Sequence, residues 1–198
     1  MKKNLLSIAT LLAILFSSCE ETKSNKVQKH TVHDYIKVGK LDAKGFPQLD
    51  FTIPKTEVIA NWEKSITNNT TKIVIDNIVI KYNDDIDIYN ELIKNPALSH
   101  VSLKEYQIYS IIAESKNGLY KTAYKVEKIA NELYVRCDGE IITLTCSGCA
   151  IACKPLMIED NNICYASCSN EDESCTKNET LRISTGNLNI FGTDYKSL

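Results

Sequence analysis

The chain has 198 residues, of which 43% are hydrophobic and 24% are charged, a composition typical of a globular protein. Its 23 Lys and Arg are balanced by 25 Asp and Glu, which gives a formal net charge of −2. Nucleic-acid binding needs a basic face, and this balance does not supply one. We therefore expect no nucleic-acid partner.

The first residues have the pattern of an export signal. Lys2 and Lys3 precede an apolar run of 12 residues, 5–16. A membrane-spanning helix needs about 20 apolar residues, so this run is too short to cross a bilayer. It has the length of the hydrophobic region of a signal peptide.

Cys19 follows this run in the stretch LFSSC. The stretch resembles the lipobox of bacterial lipoproteins. The resemblance implies that residues 1–18 are a signal peptide and that Cys19 becomes a lipidated, palmitate-bearing N-terminus. It also implies a membrane partner: the protein would be anchored on the periplasmic or cell-surface side, with the outer membrane as the expected location. An ordinary cleaved signal peptide with an incidental cysteine is the alternative.

Residues 19–34 are polar and charged, which favours a flexible tether between the lipid and a folded domain. Acyl chains contribute about 0.8 kcal/mol per buried methylene, so several chains on one cysteine anchor a protein stably. Removal of residues 1–18 takes away Lys2 and Lys3 and no acid, so the net charge changes from −2 to −4.

Two helices are predicted in the folded part. The stretch PKTEVIANWEKSITNN places Val58, Ile59, Trp62 and Ile66 on one helical face, with Trp62 as the anchor to a sheet. The stretch IDIYNELIKNPAL predicts a shorter helix that ends before Pro96. The carboxylates of residues 83–91 lack the glycine of a calcium-binding loop, so we interpret them as a solvated helix start.

Several β-hairpins are predicted. The stretch TKIVIDNIVIKY indicates two strands that turn at residues 76–77, and residues 117–118 and 138–139 are Asn-Gly and Asp-Gly turns. The second of these would pair residues 132–136 with residues 141–145. Residues 120–126 alternate apolar and polar side chains, which predicts a strand with one buried and one wet face.

These elements predict an α+β domain at residues 35–136, an antiparallel sheet of four to six strands with one or two packed helices. A cysteine-rich C-terminal module and tail would follow at residues 137–198. Residues 137–175 carry seven acids against Lys154 alone, a local charge of −6, and seven cysteines. These cysteines are Cys137, Cys146, Cys149, Cys153, Cys164, Cys168 and Cys175.

The cysteines allow three kinds of chemistry. Thiolates are strong zinc and copper ligands, and Cys146, Cys149, Cys164 and Cys168 would form the metal site. A thioredoxin-like redox pair would use Cys146 and Cys149, which follow a predicted strand. An acidic neighbourhood works against a reactive thiolate, and an exported protein favours disulfides, the third possibility.

The spacing suggests one disulfide pattern. Two C-x3-C units in helix-like turns would each place their cysteines on one face. Folded back antiparallel, they would pair Cys149 with Cys168 and Cys153 with Cys164. The pattern resembles the twin C-x3-C hairpin of small mitochondrial chaperones in its spacing alone. A third disulfide would join Cys146 to Cys175.

Cys137 would then be the odd thiol. Many other connectivities exist, and a bond between Cys137 and Cys146 is the main rival.

The sequence therefore predicts a lipid-anchored extracytoplasmic lipoprotein that binds an unknown protein or small-molecule ligand or has a structural role. A metal-handling (zinc or copper) lipoprotein and a thiol–disulfide oxidoreductase are the alternatives. No other catalytic motif appears. Enzyme activity stays undecided, with a non-enzymatic role preferred, and no cofactor is predicted.

Overall fold

Antiparallel strands dominate the fold. The computed structural model describes residues 34–66, 72–148, 153–158, 162–166, 176–185 and 189–197. The strands are β1 (Asp34–Leu41), β2 (Pro47–Leu49), β3 (Ile75–Tyr82), β4 (Tyr109–Ser115), β5 (Tyr120–Ile129), β6 (Glu132–Arg136), β7 (Asp138–Ser147), β8 (Cys153–Leu156), β9 (Ile163–Ala166), β10 (Thr176–Thr185) and β11 (Tyr195–Ser197). The helices are α1 (Lys55–Ile66), α2 (Ile86–Leu92) and α3 (Leu103–Tyr106), with a 3-10 turn, η1 (Asn189–Phe191).

Within the described residues, nine strands form one antiparallel sheet, and β8 and β9 form a separate hairpin. The expected fold is confirmed as sheet-based, but the protein is more strongly β than the predicted α+β arrangement of four to six strands. The difference arises at both ends of the chain, because β1, β2, β10 and β11 lie outside the stretches in which we predicted strands. None of these four carries a strong two-residue turn signal.

The predicted helix at the first stretch is confirmed as α1, with Val58 and Trp62 fully buried. The Trp62 ring packs against Tyr124 at a centroid distance of 5.2 Å and against Phe191 at 5.4 Å. These rings belong to the main core, which lies on the face of the sheet that we call the first face. The second predicted helix is confirmed as α2, capped by Asp85, whose carboxylate accepts hydrogen bonds from the amides of Asp87 and Ile88.

The predicted hairpin at residues 76–77 is wrong. Both β-branched runs belong to β3, which pairs with β4 from Ile75 opposite Ser115 to Tyr82 opposite Tyr109. The register shifts between Ile75 and Asn77, so the polar pair makes a bulge and not a turn. A continuous partner strand decides the outcome, because it satisfies the backbone of both runs at once.

The turn at residues 117–118 is confirmed. Gly118 has a φ of 72°, and β4 and β5 pair across it. The hairpin predicted at residues 138–139 is wrong, because Gly139 lies inside β7 opposite Ser184 of β10. β6 instead pairs with β5 and β1.

β5 is shared by two parts of the sheet. Its first residues pair with β7, from Tyr120 opposite Ser147 to Ala123 opposite Leu144. Its last residues, 127–129, pair with β6. The sheet therefore continues across the predicted boundary at 136/137, and the described residues on both sides of it belong to one compact unit.

The opposite side of the sheet, which we call the second face, is covered where β3, β4, β5 and β7 run side by side. Ala123 and Cys146 are fully buried there, against Cys153 and Met157. The prediction of a wet face on β5 is wrong for this part, since Lys121 is only 9% exposed. The β8–β9 hairpin covers this part of the second face. The alternation of side chains along β5 does not predict such a cover, because the hairpin comes from a distant part of the chain.

Candidate ligand cleft

The hairpin is joined to the second face by a disulfide between Cys146 of β7 and Cys164 of β9. Cys146 is fully buried. On its other side the hairpin packs into a third apolar cluster, with Leu156 and Ile158 against Tyr106 of α3. The bond between Cys146 and Cys164 and the apolar contacts on both sides thus hold the hairpin over the sheet.

This bond contradicts the predicted pairings of Cys153 with Cys164 and of Cys146 with Cys175, and also the rival pairing of Cys137 with Cys146. Within the described residues the two segments do fold back on each other, and Cys153–Leu156 and Ile163–Ala166 pair there as strands. In their register Cys164 lies opposite Pro155, and Cys153 lies opposite Ala166. Alternation in a strand directs Cys164 towards the sheet, where Cys146 is its partner.

The other cysteines have different positions. Cys153 is disulfide-bonded and 1% exposed. Cys137, the predicted odd thiol, is buried in the main core and is not disulfide-bonded. The remaining predicted sites, namely the lipidation site and three disulfide candidates, lie outside the described residues: Cys19, Cys149, Cys168 and Cys175.

The disulfide argues against both alternative uses of Cys146, as a metal ligand and as a redox thiolate. A metal site that uses Cys146 and Cys164 as thiolates is incompatible with a bond between them. Within the described residues, no group of three or more His, Cys, Asp or Glu is arranged to hold a metal ion. A redox thiolate must be reachable, whereas Cys146 is fully buried.

A cleft of about 360 Å³ lies between β8 and the second face of the sheet. This volume is at the lower end of the range of small-molecule sites, about 300–1,000 Å³. The lining combines apolar, aromatic and charged side chains. They are Val79, Lys81, Tyr82, Asn83, Asp84, Asp85, Ile88, Tyr106, Ile112, Glu114, Lys121, Lys154, Pro155 and Leu156.

The strand register orders the floor of the cleft. Val79 lies opposite Ile112, and Ile112 lies opposite Ala123, which makes an apolar row across three strands. Glu114 lies opposite Lys121, two residues further along. Pro155 and Leu156 of β8 form the wall above this floor, so the bond between Cys146 and Cys164 determines where the wall stands.

One end of the cleft is basic. The Lys121 ammonium lies 3.4 Å from a carboxylate oxygen of Glu114, with 11% of the lysine side chain exposed. Lys154 on β8 is exposed, and neither it nor Lys81 makes an ion pair with the residues that the structure describes. Lys121 lies opposite Cys146 in the sheet, so this end is next to the disulfide.

The other end is acidic. Asn83 is buried, and its side-chain amide donates to the carbonyl oxygens of Tyr106 and Met157, both at 3.1 Å. Asp84 and Asp85 follow directly and are exposed. Burial, together with the negative charges of Asp85 and Asp84, raises the pKa of Tyr106 to about 12. The Tyr106 hydroxyl therefore stays protonated and donates to the carbonyl of Asp85 at 3.0 Å.

A second polar cluster lies on the part of the second face that β8 and β9 do not cover. Lys37 bridges Asp50 and Glu132, at 2.9 Å to each, and Lys196 donates to the Tyr134 hydroxyl at 3.1 Å. Hydrogen bonds from Tyr134 and Lys37 hold the pKa of Glu132 at about 2. These bonds join β1, β6 and β11 to Asp50, which directly follows β2, and so support a structural role for the cluster.

The sequence did not indicate the cleft. Lys121 was interpreted as a wet-face residue of one strand, and Asp84 and Asp85 as part of a solvated helix start. Asp85 does cap α2, as that interpretation requires.

Comparison with models of protein families found no match, and comparisons with curated proteins and with solved structures found no significant similarity. In the part of the chain that the structure describes, no helix is long and apolar enough to cross a membrane.

Proposed function

We propose that this protein is a lipid-anchored extracytoplasmic lipoprotein that binds a small ligand in the cleft between β8 and the second face. The observation that carries the binding role is the cleft itself, about 360 Å³ in volume with charged groups at both ends and an apolar floor. Small-molecule sites combine concave shape, apolar lining and a few placed polar groups in this way. The anchor rests on the LFSSC stretch and the apolar run before it.

The largely buried charge of Lys121, under the disulfide-held hairpin, supports a binding role over a purely structural one. Lys121 is taken out of water at the cleft, and the burial of a charged group costs free energy unless it is paired. Lys121 is paired with Glu114 at 3.4 Å, and replacement of such a pair by apolar side chains is often neutral or stabilising. A ligand site gives a reason to keep the charge there.

Ligand binding is tested by a variant that fills the cleft. Val79→Trp places an indole on the floor, whereas Val74→Trp adds the same group at a site that is 45% exposed and outside the lining. We expect compounds from a metabolite library to raise the melting temperature of the wild type and of Val74→Trp but not of Val79→Trp. If no compound distinguishes Val79→Trp from the wild type, the cleft is not a binding site.

Lipidation is tested by intact mass spectrometry of the protein from its native host. We expect the mass of residues 19–198 plus acyl chains, and membrane association that detergent releases. Cys19→Ser is the control, and it should remove both the acyl mass and the association. An unmodified Cys19 on a processed chain would instead support an ordinary secreted protein.

A further inference from the structure

The charges of the cleft are separated along its length. At the end next to the disulfide, Lys121 and Lys154 outnumber Glu114 by one charge. At the other end Asp84 and Asp85 carry two negative charges, and Lys81 lies between the two ends. The lining as a whole is neutral, so neither a simple anion nor a simple cation matches it along the full length.

The distance between the two ends of the cleft can be estimated along β8 and Met157, the residue that follows it. Lys154 marks the basic end, and the carbonyl of Met157 is held by Asn83, which directly precedes Asp84. Strand residues advance about 3.3 Å each, so three steps place these points roughly 10 Å apart. A fully extended chain of three residues spans at most about 10–11 Å.

Building on the binding role proposed above, we propose that the ligand is a dipolar molecule, represented by a tripeptide with free termini, with its carboxylate at Lys154 and Lys121 and its ammonium at Asp84 and Asp85. The apolar row of Val79 and Ile112 underlies the middle of such a ligand. A carboxylate at the basic end would share Lys121 with Glu114 and compensate the exposed charge of Lys154. At the other end Asp84 supplies an exposed carboxylate, because Asp85 already caps α2.

The test uses trialanine, N-acetyl-trialanine and trialanine amide as probes, with dissociation constants from NMR titration of the full chain. We expect trialanine to bind more tightly than either blocked form. Lys154→Gln should weaken the binding of trialanine and of the N-acetyl form by about two- to fivefold, the loss expected for one exposed ion pair. The affinity for the amide should not change. Asp84→Asn should weaken the binding of trialanine and of the amide, and the affinity for the N-acetyl form should not change.

Matched controls carry the same substitutions outside the cleft. Lys44→Gln and Asp194→Asn change exposed residues that do not line it, and their affinities should equal that of the wild type. Equal losses for both blocked forms in each variant, or no saturable binding of any probe, would overturn the assignment of a dipolar ligand. If library compounds still distinguish Val79→Trp from the wild type, the binding role stands and only the ligand class is wrong.

Discussion

The two faces of the sheet are covered by different means. On the first face α1 and η1 pack through large side chains, with Trp62 and Phe191 fully buried and in contact. On the second face the cover is the β8–β9 hairpin, and its contacts are with small or medium side chains such as Ala123. The second face also holds the pair of Lys121 and Glu114.

This difference explains where the disulfide lies. Burial of a large aromatic side chain contributes several kcal/mol, so a helix with such an anchor holds its position by packing alone. A hairpin of two four-residue strands buries too little surface to do so, since an isolated hairpin is marginal in water. Attachment through Cys146 and Cys164 supplies the missing constraint, and it leaves room beside the hairpin for a cleft.

The largest expected effect is on the first face. Trp62→Ala should lower the free energy of unfolding by about 3–5 kcal/mol, the range for truncation of a buried aromatic side chain. The Trp62 indole nitrogen has no hydrogen-bond partner among the described residues, so this loss is one of packing. Denaturation followed by circular dichroism measures it, with the exposed Lys64→Ala as a control expected to stay within about 0.5 kcal/mol. A loss below about 1.5 kcal/mol for Trp62→Ala would show that the helix is not held by its anchor.

The second effect is on the hairpin. Cys146→Ala with Cys164→Ala opens a loop with a sequence separation of 18 residues, and such a crosslink contributes about 3 kcal/mol. We expect amide hydrogens of β8 and β9 to exchange faster while those of α1 and β1 stay protected. Cys137→Ala, which removes a buried thiol from the first face, should leave the hairpin protected. Unchanged exchange in the double variant would mean that the bond between Cys146 and Cys164 is not what holds the hairpin in place.

The third effect is on the charge under the hairpin. Glu114→Gln takes a carboxylate away from a lysine that is largely buried, but the Glu114 side chain is 42% exposed, so solvent screens part of the interaction. We expect a loss of about 1 kcal/mol in urea denaturation. Further substitution of Lys121→Met should restore the stability, because the buried charge is then gone.

Glu91→Gln tests a fully solvated pair, with Lys94, and should change nothing measurable. Equal losses of stability in Glu114→Gln and Glu91→Gln would mean that the β8–β9 hairpin does not desolvate Lys121.

The smallest expected effect on stability is on the part of the second face that the β8–β9 hairpin does not cover, where ion pairs link the strands. The pKa of Glu132 is depressed from 4.5 to about 2 in the folded protein. Its contribution to stability is therefore present above pH 4.5 and is lost as the pH falls towards 2. Glu132→Gln should lower the urea midpoint slightly at pH 7, and the difference from the wild type should shrink by pH 3. A difference that is the same at both pH values would show that the charge of Glu132 is not what stabilises this part.

Local signals predicted the parts of the fold whose cause is local. The helical stripe of α1 and its Trp62 anchor, the short helix α2, and the turn at Asn117 and Gly118 were all predicted, because periodicity and turn chemistry depend on neighbours in the chain. The polar pair at residues 76–77 and the Asp-Gly at residues 138–139 carried equally good turn signals and were wrong. Long partner strands, β4 in one case and β10 in the other, extend the pairing through them.

The sequence by itself determined the main helix α1, the turn at residues 117–118 and the clustering of cysteines, because these features depend on residues close together in the chain. It also predicts export and lipidation at Cys19. The tertiary structure alone decided that Cys146 pairs with Cys164, that β5 is covered on both faces, and that lysines and aspartates distant in the chain meet at one cleft. The physical reason is that a strand's alternation places a side chain on one side or the other, while the register of distant strands decides what lies opposite. In the hairpin Cys164 lies opposite Pro155 and not opposite Cys153, and its disulfide partner Cys146 comes from a different strand, β7.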